Sequence, residues 1–132
     1  MPFVKLSDIT ATHVDKPFER DLKIAMSPQT HPEIHDFTFL ISELAPNGGC
    51  TDFHAHDAGG ELMIFVSGHG RAWLEDQEYE ITPGTAMYAP PGVKHKTLNT
   101  GDTPLQIACV FVPPVNTDYI LANIEAAKKA GE

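Results

Sequence analysis

The sequence predicts an all-β domain, either a barrel or a sandwich, followed by one C-terminal helix. Three observations support this prediction. The chain has 132 residues, which is enough for one hydrophobic core and too few for two. Its 11 prolines and 10 glycines are spread along the chain, as expected where turns join many short strands. Regularly spaced β-prone runs, separated by such turns, fill the middle of the sequence.

The chain is expected to form one domain with three parts, residues 1–35, 36–114 and 115–132. The first part contains two strand candidates, residues 3–9 and 21–26, and a polar loop. The second part contains eight strand candidates and is expected to form the barrel. These eight span residues 37–44, 50–56, 61–66, 71–74, 78–81, 85–88, 95–98 and 105–112.

The third part changes from the two-residue period of strands to a helical period. Ile120, Ile124 and Ala127 recur on one face of a helix, with Asn116 or Thr117 available as its N-cap. Lysines follow in the last turn, where cations suit the helix dipole. The pattern therefore predicts a short terminal helix with one buried face.

Charge and composition exclude several classes of protein. Lysine and arginine total 9 against 18 acidic residues, a formal charge of -9, so nucleic acid and anionic membranes are not expected partners. The two cysteines, Cys50 and Cys109, show no disulfide or CxxC pattern, which is typical of a reducing compartment. No stretch approaches the roughly 20 apolar residues of a membrane span, and no signal peptide is evident. The expected location is the cytoplasm.

Two short segments contain residues suited to binding a metal. His54 and His56 lie two positions apart, so in a strand both imidazoles point to the same face. A glycine-containing reversal then leads to Glu61, whose carboxylate a hairpin would bring back beside the imidazoles. Further along, His95 opens another predicted strand after a proline- and glycine-rich turn.

The spacing in both segments resembles the two signature motifs of the cupin superfamily. These read Gly48-x5-His54-x-His56-x4-Glu61-x6-Gly68 and Gly84-x5-Pro90-x-Gly92-x2-His95-x3-Asn99. The resemblance implies a double-stranded β-helix, or jelly-roll, cupin barrel at 36–114. It also implies one divalent transition metal (Fe, Mn, Ni, Zn or Cu) held by four side chains. We call these the ligand cluster: His54, His56, Glu61 and His95.

The chemistry of the ligand cluster agrees with this implication. Three imidazoles and one carboxylate suit transition metals, whereas an all-oxygen set would suit magnesium or calcium. Four protein ligands leave an octahedral ion two open positions, while a structural tetrahedral zinc site would have none. The open positions favour catalysis over a structural role, although a metal-free or purely binding cupin is the alternative.

Two further residues are candidate catalytic groups. Asp52 shares the strand face of His54, about 6.6 Å along the strand, and is expected close behind the ligands. Tyr88 is expected to approach the pocket from the strand before Pro90 and to serve as a proton donor.

The leading functional hypothesis is a metal-dependent enzyme of the dioxygenase or oxidative-cleavage type that acts on a small oxygenated metabolite. The first alternative is a redox-neutral isomerase, lyase or cyclase that uses the ion as a Lewis acid. The second is a non-enzymatic cupin that binds a small molecule. Because a barrel this small exposes edge strands, a homodimer is expected in each case.

Overall fold

The structure, a computed structural model, describes residues 2–131. A 3-10 helix, Leu6–Asp8, precedes the strands, and an α-helix, Thr117–Gly131 (α1), follows them. The strands are Thr12–Val14 (β1), Arg20–Met26 (β2), Thr38–Leu44 (β3), Gly60–Ser67 (β4), Gly70–Leu74 (β5), Gln77–Ile81 (β6), Thr85–Ala89 (β7), His95–Asn99 (β8) and Leu105–Val112 (β9).

The strands form two antiparallel sheets that face each other. The larger has the order β1-β2-β3-β9-β4-β7 and the smaller has the order β6-β5-β8. Two isolated bridges, Cys50 with Leu98 and His54 with His95, attach the segment before β4 to the free side of β8. This arrangement is a double-stranded β-helix, which confirms the predicted all-β jelly-roll class.

The core lies between the sheets because the strands alternate apolar residues inward. Every second residue of β9 from Leu105 to Phe111 is buried, and in β4 the inward set is Glu61, Met63 and Phe65. The intervening β4 residues are apolar as well, although they face outward and are exposed. We call them the outer apolar row: Leu62, Ile64 and Val66.

Helix α1 begins where the sequence pattern places it. The Asn116 Oδ1 atom accepts a hydrogen bond of 2.8 Å from the Tyr119 amide, which is an N-cap interaction. Ile120 and Ile124 are buried within the barrel core. Among residues 2–131, no helix is long and apolar enough to cross a membrane.

Two predicted strands are wrong. Residues 3–9 contain the exposed 3-10 helix instead, since Ser7 and Asp8 favour turns, and the strand missed by the prediction is the three-residue β1. Residues 50–56 form only the two bridges. Between them the Thr97 amide donates to the Thr51 hydroxyl at 3.0 Å rather than to a backbone carbonyl, so the ladder is interrupted.

Candidate metal centre

The ligand cluster comes together from separate elements of the fold. Glu61 is the second residue of β4, His95 opens β8, and His54 forms the bridge to His95. One ligand atom from each of the four residues lies within 4.8 Å of those of the others. His56, Glu61 and His95 are buried, while His54 is half-buried. Such a cluster is compatible with a metal ion.

The carboxylate of Glu61 lies at the middle of the cluster. Its Oε1 atom accepts hydrogen bonds of 3.2 Å from Nε2 of His56 and from Nε2 of His95. The inner nitrogens of two imidazoles therefore point at the same carboxylate oxygen. A cation at this position would replace those two protons.

The outer nitrogens of the three histidines are all bonded to the protein. His54 Nδ1 lies 2.9 Å from the carbonyl oxygen of Asp52, and His95 Nδ1 lies 3.1 Å from that of Val93. His56 Nδ1 lies 3.2 Å from the hydroxyl of Tyr119 on helix α1. These bonds at Nδ1 hold each ring in orientation, so that once a cation replaces the Nε2 protons, Nε2 is directed at the ion as a ligand.

The environment keeps two members of the cluster in the form that binds metals. Burial raises the pKa of Glu61, but hydrogen bonds from His56 and His95 outweigh it and lower the pKa to about 2. Burial and the charge of His95 lower the pKa of His54 to about 4. Burial lowers the pKa of His95 as well, yet the bond to Glu61 outweighs burial and raises it above 6.5. At neutral pH the carboxylate is ionised and His54 is neutral.

A cavity between the two sheets adjoins the ligand cluster. Its volume is about 60 Å³, room for a few water molecules. Helix α1 contributes Ile120 and Ile124 to its wall, and the inner faces of β3, β4 and β9 contribute further apolar side chains. The polar residues that line it outside the cluster are Arg20, Ser42, Thr51, Asp52, Thr97 and Asn123.

The two candidate catalytic residues have different surroundings. Asp52 lines the cavity, and its carboxylate oxygen lies 3.7 Å from His54 Nδ1. Tyr88 lies on the outer face of β7, where it is 53% exposed, and it does not line the cavity. Met87 and Ala89 take the inward positions, so strand parity turns Tyr88 outward and its expected approach to the pocket is not observed.

Two residues at the site were missed by the sequence analysis. Arg20 lies on the inner face of β2 and lines the cavity, and Tyr119 contacts His56 from helix α1. Both come from elements outside the two motifs. The one available signal for Arg20 was its two-residue spacing from Leu22, which places it on the inward face of its strand.

The jelly-roll barrel and its ligand cluster define a class of small β-barrel proteins with a candidate metal centre between the sheets. A family model described as a cupin domain matches residues 40–111, more than half of the chain. The chain belongs to the cupin family.

Two curated relatives and one solved structure are similar to this chain. An uncharacterized protein of Methanocaldococcus jannaschii is 33% identical over 86 residues, 64% of this chain and 69% of that protein. The glucose-6-phosphate isomerase of Pyrococcus horikoshii is 35% identical over 72 residues, 51% of this chain but 38% of the isomerase. The structure of a predicted oxalate decarboxylase from Thermotoga maritima has a TM-score of 0.75 at 22% identity, covering 84% of this chain and 98% of that one. This last likeness concerns the fold.

Proposed function

We propose that this cupin is a metal-dependent enzyme acting on a small oxygenated metabolite, with one divalent transition metal held by the ligand cluster. The observation that supports it is the convergence of the four ligand atoms within 4.8 Å, at the edge of a cavity. The residues fit such an ion, because three nitrogens and one carboxylate suit Fe, Mn, Ni, Zn or Cu.

The reaction class we favour is redox-neutral: isomerisation, elimination or cyclisation. When bound, the ion would polarise a carbonyl or hydroxyl oxygen as a Lewis acid, and an ion that changes oxidation state would also allow oxidation. Sequence similarity to glucose-6-phosphate isomerases, a redox-neutral class, supports the first use. Oxidative cleavage of the dioxygenase type is the second candidate, supported by a donor set that also suits iron and manganese.

The chain's own residues have distinct tasks in this proposal. The apolar cavity wall limits the water around the substrate, which strengthens polar interactions inside. Asp52 faces the same space and would accept a proton from a substrate hydroxyl or return one to it. Asp52 also holds the ligand His54 in place, because its backbone carbonyl is hydrogen-bonded to Nδ1 of His54.

The metal itself is tested by elemental analysis of purified protein. We expect about one transition-metal ion per wild-type chain and almost none in a His54→Ala, His95→Ala double variant, because half of the ligands are gone. His31→Ala and His69→Ala, outside the cluster, are matched controls and should keep full occupancy. Full metal in the double variant would refute the site.

The reaction class is tested with zinc-loaded and iron-loaded protein, each assayed with and without dioxygen on small hydroxy and oxo compounds. Zinc does not change oxidation state, so turnover by the zinc form without dioxygen supports the redox-neutral class. Turnover that needs iron and consumes dioxygen supports oxidative cleavage instead. If these compounds bind saturably but neither the zinc-loaded nor the iron-loaded protein converts them, the proposal that the protein is an enzyme is refuted. Asp52→Asn should slow turnover while the metal content stays unchanged.

A further inference from the structure

The cavity contains a cation that the ligand cluster does not use. Arg20 is only 7% exposed and lines the same cavity as the cluster. Within residues 2–131 its guanidinium donates one hydrogen bond, from Nη1 to the carbonyl of Cys50 at 3.2 Å. No carboxylate of the described residues lies within 4.0 Å of it. Burial lowers the pKa of Arg20, and the nearby charges of Asp52 and Glu61 offset that effect only in part, so a further anion beside the guanidinium would stabilise it.

Most donors of Arg20 have no hydrogen-bond partner among the described residues. A guanidinium has five N–H groups in a planar fork, of which one is used here. Among the described residues, no fully buried side-chain nitrogen or oxygen lacks a hydrogen-bond partner. The unpartnered nitrogens of Arg20 therefore retain accessible surface, and Arg20 is one of the residues that line the cavity.

The position of Arg20 relative to the ligand cluster follows from one peptide unit. The carbonyl that binds Arg20 belongs to the peptide between Cys50 and Thr51, and the N–H of that peptide donates to Thr97 at 2.9 Å. Thr97 is two residues from His95 on β8, a rise of about 6.6 Å along the strand. A hydrogen-bonded path through that peptide therefore connects Arg20 with the strand of His95, and Arg20 and the ligand cluster line the same cavity.

The charges in the cavity favour an anion with a single negative charge. Arg20 and a divalent ion bring three positive charges, and the carboxylates of Glu61 and Asp52 bring two negative ones. One positive charge is left for the ligand. The cavity is small, about 60 Å³, and the planar fork of arginine matches a carboxylate.

We propose that Arg20 binds the carboxylate of the substrate, and that the substrate is a small hydroxy or oxo carboxylic acid. The inference rests on the proposed function, because the hydroxyl or oxo oxygen at the other end of such an acid would face the ligand cluster. It gives an acidic protein a local site for an anion, despite the formal charge of -9.

The test compares 3-hydroxypropanoate with 3-hydroxypropanamide, a neutral molecule of the same size, by calorimetric titration of zinc-loaded and metal-free protein. We expect the acid to bind wild type about 10- to 100-fold more tightly than the amide, the range of a charge-assisted hydrogen bond. Arg20→Met should abolish that preference. Lys23→Met is the matched control, because it removes the same charge from β2 at a side chain that bonds Leu6 outside the cavity.

A second measurement needs no change at Arg20 and holds if the variant fails to fold. The chain has two arginines, so ¹⁵N-arginine labelling yields two side-chain Nε–Hε signals, and Arg71→Lys assigns them. The acid should shift the Arg20 signal and leave that of Arg71, paired with Glu78 on the surface, in place.

The two proposals fail in different ways. Three results would overturn the role of Arg20 and leave the metal site standing. They are equal affinity for acid and amide in zinc-loaded wild type, a preference for the acid that survives Arg20→Met, and an Arg20 signal that the acid does not shift. Wild-type protein that takes up no metal would overturn the proposed function. Persistence of the acid preference and the Arg20 shift in that metal-free protein would still support the carboxylate site.

Discussion

Replacing Tyr119 with phenylalanine should weaken metal binding about tenfold. The Tyr119 hydroxyl lies 3.2 Å from His56 Nδ1 and orients that ring toward the cluster. Partners bonded to the outer nitrogen of a histidine ligand typically contribute about 10- to 100-fold in affinity. This bond is long and the tyrosine is 37% exposed, so water can replace its hydroxyl. We therefore expect the lower end of the range, about 1.4 kcal/mol.

The assay is competition for zinc against a coloured chelator at pH 7. Tyr88→Phe is the control, because it removes the same hydroxyl from an outward-facing tyrosine and should leave zinc affinity unchanged. Thermal unfolding of both variants without metal checks that the fold is intact. If Tyr119→Phe binds zinc as tightly as wild type, or if both variants lose the same affinity, the orienting role of Tyr119 is refuted.

Three further predictions concern stability, pH and assembly. Asn99 is fully buried and forms hydrogen bonds with Leu44, Gly101 and Thr103. Asn99→Ala should therefore lower the free energy of unfolding in urea by about 3 kcal/mol. Thr100→Ala, at the exposed neighbouring residue, should lower it by less than about 0.5 kcal/mol. Zinc affinity should fall by at least about tenfold per pH unit below the raised pKa of His95, because its Nε2 proton must leave before the metal binds, and should fall more steeply near pH 4, where His54 also gains a proton. A flat profile from pH 5 to 6 would contradict this. We propose a homodimer that buries the outer apolar row. Light scattering should therefore give about twice 14.4 kDa for wild type and the mass of a monomer for Ile64→Lys. A monomeric wild type would rule the dimer out.

The parts of the site that sequence could predict are those with local patterns. His54 and His56 are two residues apart, and the turn before His95 is marked by proline and glycine, so both segments could be recognised within short windows. Strand parity predicted that Asp52 faces the cavity, and Asp52 does line it, although residues 50–56 form isolated bridges rather than the predicted strand. For Tyr88 the same reasoning failed, because the sequence does not show which face of β7 points inward. In the structure Met87 takes the inward face, and Tyr88 is exposed on the other.

The parts that sequence could not predict depend on contacts between distant segments. The bond from Arg20 to Cys50 joins residues 30 positions apart, and that from Tyr119 to His56 joins residues 63 positions apart. Neither arginine nor tyrosine belongs to a motif here, and an arginine on a β-strand is ordinarily a surface residue. Only the packed sheets and the docked helix bring these side chains to the cavity.

The docking of helix α1 links metal retention to the opening of the cavity. The same helix supplies Ile120 and Ile124 to the cavity wall and the Tyr119 hydroxyl to His56. Undocking would therefore widen the cavity and remove the hydrogen bond that orients His56, so a bound ion should shift the equilibrium toward the docked state. Hydrogen exchange at the α1 amides should accordingly slow on zinc loading, and to a smaller degree in Tyr119→Phe. A metal held by the ligand cluster would in this way stabilise the docked position of the helix.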